Sequence, residues 1–195
     1  MPRPRSDSRD RIIASARTLL RRQGYHGTGL AQIIEGSGAP RGSVYFLFPN
    51  GKEQIAAEAV NEWVAEVSEI IRRTRAENTT PGGWVEAMAR HFAAGLDDSG
   101  FTEGFPVTTV ALDSVPGSEL LAAACRAAYD AWLDELAVGL AGYGVPGDRA
   151  RDAATLTLAS LEGAAVLCRV FRSTEPLERI VPLVRSLVSP GAVPR

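Results

Sequence analysis

Residues 38–53 read Gly38-Ala39-Pro40-Arg41-Gly42-Ser43-Val44-Tyr45-Phe46-Leu47-Phe48-Pro49-Asn50-Gly51-Lys52-Glu53. Gly36, Ser37 and Gly38 force a turn. The spacing then predicts a short helix over 40–46, with Pro40 at its first position, where the missing N–H costs nothing. Phe48, Pro49, Asn50 and Gly51 break the chain again. Upstream, a short helix is predicted over 29–35, after Thr28 as its N-cap. Two short helices joined by a glycine-containing turn make a helix-turn-helix, whose second helix enters the DNA major groove. Gly38 is suited to positive φ in the turn. Ile33, Ile34 and Val44 are expected to pack the two helices together. Arg41, in the first turn of the second helix, is placed to reach guanine or phosphate. Gly42 and Ser43 keep that surface low, and Tyr45 offers a hydroxyl to phosphate. Lys52 follows Gly51 at the start of the next helix, where its charge and the helix N-terminus can both hold a phosphate. Phe46 belongs to the same DNA-facing segment, yet Phe46 and Phe48 are both expected to pack against the first helix rather than read bases.

The charge distribution agrees. Residues 1–52 carry nine Lys/Arg against three Asp/Glu, although the 195-residue chain has a net charge of −2. A basic head on an acidic body is the electrostatic footprint of a nucleic-acid binder. The division expected is a head over 1–50 and a body over 51–195.

Outward from the motif the apolar spacing is helical almost everywhere, with no period-2 strand pattern. Before it, a helix over 7–24 would bury Ile12, Ile13, Ala16, Leu19 and Leu20 and end at Gly24. After it come helices over 52–75, 84–96, a short one following Pro106, then 118–140, 148–171 and 176–188. The expected class is all-α with about nine helices: a three-helix DNA-binding head and a C-terminal helical bundle. With 45% hydrophobic and 23% charged residues, the chain can bury a core of useful size.

The body offers Trp84, Met88, His91, Phe92, Phe105, Tyr129, Trp132 and Leu136 as material for a small-molecule pocket, and equally for a bundle core. His91 is placed to orient a ligand by one hydrogen bond. The segment 153–171 is apolar nearly all round, so one face should cover the core and another should meet a partner. Leu156, Ala159, Gly163, Ala164, Leu167 and Phe171 are the candidates for a homodimer seam. Cys125 and Cys168 have no metal or redox spacing and read as reduced core thiols. With two histidines, no nucleophile elbow and no phosphate loop, nothing supports an enzyme. No cofactor or metal is expected. No apolar run approaches the roughly 20 residues that span a bilayer, and residues 1–7 lack the apolar region of a leader peptide, so a cytoplasmic protein without a membrane partner is expected.

The quoted string resembles the signature of the TetR (tetracycline-repressor) family over residues 11–60. Ala39-Pro40-Arg41-Gly42-Ser43 with Pro49, Gly51, Lys52 and Glu53 is similar to the LmrA/YxaF-like branch. So, more weakly, is Gly104-Phe105-Pro106-Val107 followed by Ala111-Leu112-Asp113. The resemblance implies an all-helical dimer that represses transcription on double-stranded palindromic operator DNA until a small apolar or aromatic ligand releases it. It implies that Thr28 caps the first motif helix and touches the DNA backbone, that Arg41 is the main recognition cation, and that Ser43, Tyr45 and Lys52 hold phosphates. Pro40, Phe46, Leu47 and Phe105 depart from the family pattern. A regulator, activating or repressing, that takes no effector would share the same head.

Overall fold

A computed structural model of the chain describes residues 5–189. Residues 1–4 of the stretch read as lacking an apolar leader, and Pro190 after the last helix, lie outside them. The described residues form nine α-helices and no strand: α1 (Arg5–Gly27), α2 (Leu30–Ser37), α3 (Arg41–Leu47), α4 (Gly51–Ala76), α5 (Pro81–Asp98), α6 (Pro106–Ser114), α7 (Glu119–Gly142), α8 (Gly147–Phe171) and α9 (Glu175–Val188). They group into two compact units. The first takes residues up to 63 together with 105–128, and the second takes 64–104 together with 129 onward.

In the first unit α1 buries Ile12, Ile13, Ala16 and Leu20, positions that share one face of a 3.6-residue helix. It packs on α2, α3 and α6. Each of Ile12, Ile13 and Leu20 contributes about 1.5–3 kcal/mol by its burial, and Ala16 less. The regular helix ends at Gly24 as its sequence predicts, with φ at 70°, but one more turn follows, to Gly27. A distant residue holds that turn. The His26 N–H donates to Asp113 Oδ2 of α6 at 3.1 Å. A Cβ at Gly24 would press on the same oxygen, and the positive φ there favours glycine. Thr109 Oγ1, one turn earlier on α6, donates to the Leu20 carbonyl at 3.1 Å.

In the second unit α5 starts at Pro81, three residues before the predicted Trp84. Thr80 is its N-cap, and its Oγ1 accepts the Gly83 N–H at 3.1 Å. Trp84 is wholly buried. Its Nε1 donates to the Ile71 carbonyl at 3.0 Å and contacts Thr74 Oγ1 at 3.1 Å. A side chain at Gly139 would meet the Trp84 ring at 2.2 Å. Helix α5 packs on α8 and α9, and α8 packs on α9.

Helix α8 has the two faces that its sequence predicts and corrects one other expectation. Ala154, Thr157, Leu161, Ala165 and Cys168 face inward, while Leu156, Val166, Leu167, Val170 and Phe171 are exposed. By length and composition it is also apolar enough to cross a bilayer, with a mean hydropathy of 1.4 over its best 18 residues. Scattered polar residues hide this in the sequence. Cys125 and Cys168 are both buried. Burial pushes the Cys125 thiol up to about 11 and raises that of Cys168, so neither is a ready thiolate.

Candidate nucleic-acid interface

The helix-turn-helix is built as its sequence predicts at the turn. Gly38 closes α2 in the left-handed region, φ 60° and ψ 17°, with its N–H on the Glu35 carbonyl. Ser37 Oγ accepts the Ala39 N–H at 3.1 Å, and Arg11 Nη1 of α1 donates to the Ser37 carbonyl at 3.1 Å. Ile33, Ile34 and Val44 are all buried. Pro40 stands one position earlier than expected: it is the N-cap, with φ −58° and ψ 136°, and Arg41 is the first helical residue.

With Val44 and Phe48 turned inward, one side of α3 is left to solvent. Arg41, Gly42, Tyr45 and Phe46 occupy it, and Ser43 is half-buried at its margin. These positions span about 140° of a helix advancing 100° per residue. Phe48 is wholly buried, with the Arg9 guanidinium 4.9 Å from its ring centre. Phe46 is 69% exposed, which overturns the expectation that it packs inward like Phe48. Phe46 lies on the outer face of α3, whereas Phe48 is the C-cap beyond its end, where the chain leaves the helix and carries the ring into the core.

Thr28 needs a second correction. It is fully buried, and its Oγ1 donates to the Gly24 carbonyl at 2.7 Å. The N-cap of α2 is Gly29, whose N–H donates to Gln32 Oε1 at 2.8 Å. Thr28 thus ties off the carbonyl freed by the Gly24 kink, and its hydroxyl is not presented to DNA. Lys52 differs too. Its Nζ donates to the Tyr25 carbonyl at 3.0 Å and lies 4.1 Å from the Tyr25 ring centre. Partial burial lowers its pKa, while Asp113 pulls the other way. An ammonium has three donors, so one is spent on Tyr25.

The pocket candidates are dispersed. Trp84, Met88, Trp132 and Leu136 are buried in the second unit, and Trp132 Nε1 donates to the Val64 carbonyl at 3.3 Å. Tyr129 stacks edge-on against Trp132 at 5.7 Å, and its hydroxyl lies 3.3 Å from Glu162 Oε2. His91 and Phe92 pair edge-on at 5.8 Å. His91 is a correction, because it sits at the surface with Arg73 Nη2 3.5 Å from its Nδ1. Desolvation, and then the Arg73 charge, lower its pKa. Phe105 belongs to the first unit, as the N-cap of α6. One donor was not singled out by sequence: the indole N–H of Trp63 is buried with no acceptor among the described residues. Its place on the apolar stripe of α4 hides it.

The dimer candidates come together. Ala159, Gly163, Ala164, Leu167 and Phe171 line a groove of about 660 Å³ with Ile180 and Leu183 of α9. Leu156 is exposed at the head of the same stripe, and Ala164 is buried at its floor.

The family profile "Bacterial regulatory proteins, tetR family" matches residues 12–59. The profile "Transcriptional regulator LmrA/YxaF-like, C-terminal domain" matches residues 81–182. The HTH-type transcriptional regulator LmrA of Bacillus subtilis is 36% identical, over 93% of this chain and 97% of its own length. The chain belongs to the TetR family, in its LmrA/YxaF-like branch. The HTH-type transcriptional regulator YxaF of Bacillus subtilis is 35% identical over 93% of this chain and 97% of its own length. The fold agrees: the regulatory protein TetR from Rhodobacter sphaeroides superposes with a TM-score of 0.83 at 16% identity, covering 91% of this chain and 97% of that one. As a member of the TetR family the chain is a cytoplasmic, DNA-binding transcriptional regulator of the ligand-responsive repressor type, and not an enzyme. Such regulators act on operator DNA as homodimers and bind small ligands in the C-terminal bundle.

Proposed function

We propose that α3 is the recognition helix, with Arg41 as its main base-reading cation and Gly42, Ser43, Tyr45 and Phe46 completing the DNA-facing surface. The observation that carries this is the single outward face of α3, where a cation, a glycine and two aromatic side chains stand clear of the core. Gly42 has nothing within 4 Å of where a Cβ would stand, so the backbone can approach a duplex closely. Lys52 serves a phosphate with the donors that Tyr25 leaves. The head is assigned to residues 1–50 and the effector and dimerisation body to 51–195. Leu156, Ala159, Gly163, Leu167 and Phe171 form the seam between protomers, with Ala164 beneath it. The effector is a small apolar or aromatic molecule, its candidate contacts Trp84, Met88, Phe92, Tyr129, Trp132 and Leu136 of the second unit. It releases operator by binding better to a dimer whose recognition helices no longer match a half-site spacing of about 34–36 Å.

The test is fluorescence anisotropy of the purified protein on duplex fragments tiled upstream of its own gene, over a salt series. Tight binding of one dimer to a single palindromic fragment, weakening steeply with salt, is the expected outcome. Equal, weak binding to every fragment would refute the assignment of α3 as a base reader.

A further inference from the structure

We infer that Asp113 is a positioning residue for the operator contact: it fixes the Tyr25–His26 peptide, and through that peptide holds Lys52 ready for a DNA phosphate. This rests on Lys52 serving a phosphate. One peptide group carries both contacts. Its N–H, from His26, donates to Asp113 Oδ2 at 3.1 Å, and its C=O, from Tyr25, accepts from Lys52 Nζ at 3.0 Å. In a planar trans peptide the N–H and C=O point in opposite directions. Asp113 and Lys52 therefore pull on opposite ends of one rigid plate, and the carboxylate at the N–H end polarises the carbonyl toward the ammonium. The same carbonyl accepts the Thr28 N–H at 3.2 Å, so both of its lone pairs are used. The Tyr25 ring centre lies 4.1 Å from Lys52 Nζ, which holds the ammonium from a second side. A free lysine stem must be frozen when it meets DNA, and that cost falls when the protein has already ordered it. Asp113 also favours the charged ammonium, against the partial burial that lowers its pKa. The helix that carries Asp113 is itself tied to the head. Thr109 donates to the Leu20 carbonyl of α1, and past the end of α6 the Ser118 hydroxyl donates to Glu53, the neighbour of Lys52 on α4.

The experiment measures anisotropy of the full-length dimer on the duplex that it selects out of a random-sequence pool. Lys52→Ala should make log affinity fall less steeply with log salt, by about two for a dimer that loses one phosphate contact per protomer. Asp113 stands at the surface, so Asp113→Ala should fold like wild type, and it should weaken binding about fivefold per half-site. In a Lys52→Ala background the same change should cost nothing more, because it acts through Lys52. Asp113→Asn keeps an acceptor for the His26 N–H and should recover most of the loss. The inference is overturned if Asp113→Ala binds as tightly as wild type, if its loss is the same with and without Lys52, or if Asp113→Asn is no better than Asp113→Ala. If Lys52→Ala leaves the salt dependence unchanged, the phosphate role of Lys52 falls, and this inference with it.

Discussion

Helices α3 and α8 both leave large apolar side chains in water, and they do so in different company. On α3 the exposed aromatic residues Tyr45 and Phe46 share a face with Arg41 and Gly42. On α8 the exposed Leu156, Val166, Leu167, Val170 and Phe171 form an almost unbroken apolar stripe, continued on α9 by Leu183 and Leu187. Exposure alone does not tell them apart, since Phe171 at 65% and Phe46 at 69% are alike. The surroundings do. A cation and a hydroxyl beside aromatic rings suit a polyanion with a grooved surface, where charge sets affinity and small contacts set sequence. A stripe of leucine, valine and phenylalanine with small residues at Ala159 and Gly163 suits a dry, self-complementary seam.

That contrast breaks first at the seam. Phe171→Glu combined with Leu167→Glu places charges where two copies should meet, so sedimentation should show monomers at micromolar concentration. Because a palindrome is read by both protomers at once, operator affinity should fall by more than about 100-fold. A dimer of wild-type affinity would show that the stripe faces something else. Arg41→Ala tests the other face. It should cost about 1–3 kcal/mol in specific binding, measured by anisotropy, while the double-glutamate variant's loss of dimers is absent. Tyr45→Phe sharpens the picture further: losing one hydroxyl should weaken binding only a few-fold, at every sequence alike, with the thermal midpoint unchanged.

The smallest effect concerns His91, whose protonation is resisted by desolvation and by Arg73. The folded-state pKa is lowered, so the unfolded chain takes up a proton first as pH falls through about 6.5. Stability then decreases with falling pH. His91→Gln should remove that part of the slope in urea titrations run between pH 7.5 and 5. An unchanged slope would mean that the ring titrates alike in the folded and unfolded chain, with neither desolvation nor Arg73 resisting its proton.

Much of this was legible in order along the chain. The breaks at Gly36–Gly38 and Phe48–Gly51, and the helical spacing of the apolar residues along the rest of the chain, predict about nine helices, and the described residues form nine. The boundaries slipped where partners far along the chain intervene. Helix α1 gains its turn to Gly27 because Asp113, 87 residues from His26, accepts that amide. Thr28 looked like a cap because threonine caps well, but Gln32 reaches back to Gly29 and leaves Thr28 to the kink at Gly24. Lys52 reads from the sequence as a phosphate ligand with all three donors open, whereas in the structure the Tyr25 carbonyl, 27 residues earlier, accepts a hydrogen bond from one of them.

What the amino-acid order determined by itself is local: which segments are helical, where glycine and proline interrupt them, and the motif 38–53 whose residue types fit DNA. Those properties depend on backbone sterics and on spacing within a few residues. Tertiary structure decided which way each helix turned. It chose Phe48 over Phe46 for the core, put Leu167 and Phe171 outside while Trp84 went inside, and brought His91 to the surface beside Arg73. Those choices depend on neighbours that packing assembles from distant parts of the chain, and a helix read alone presents all its sides equally.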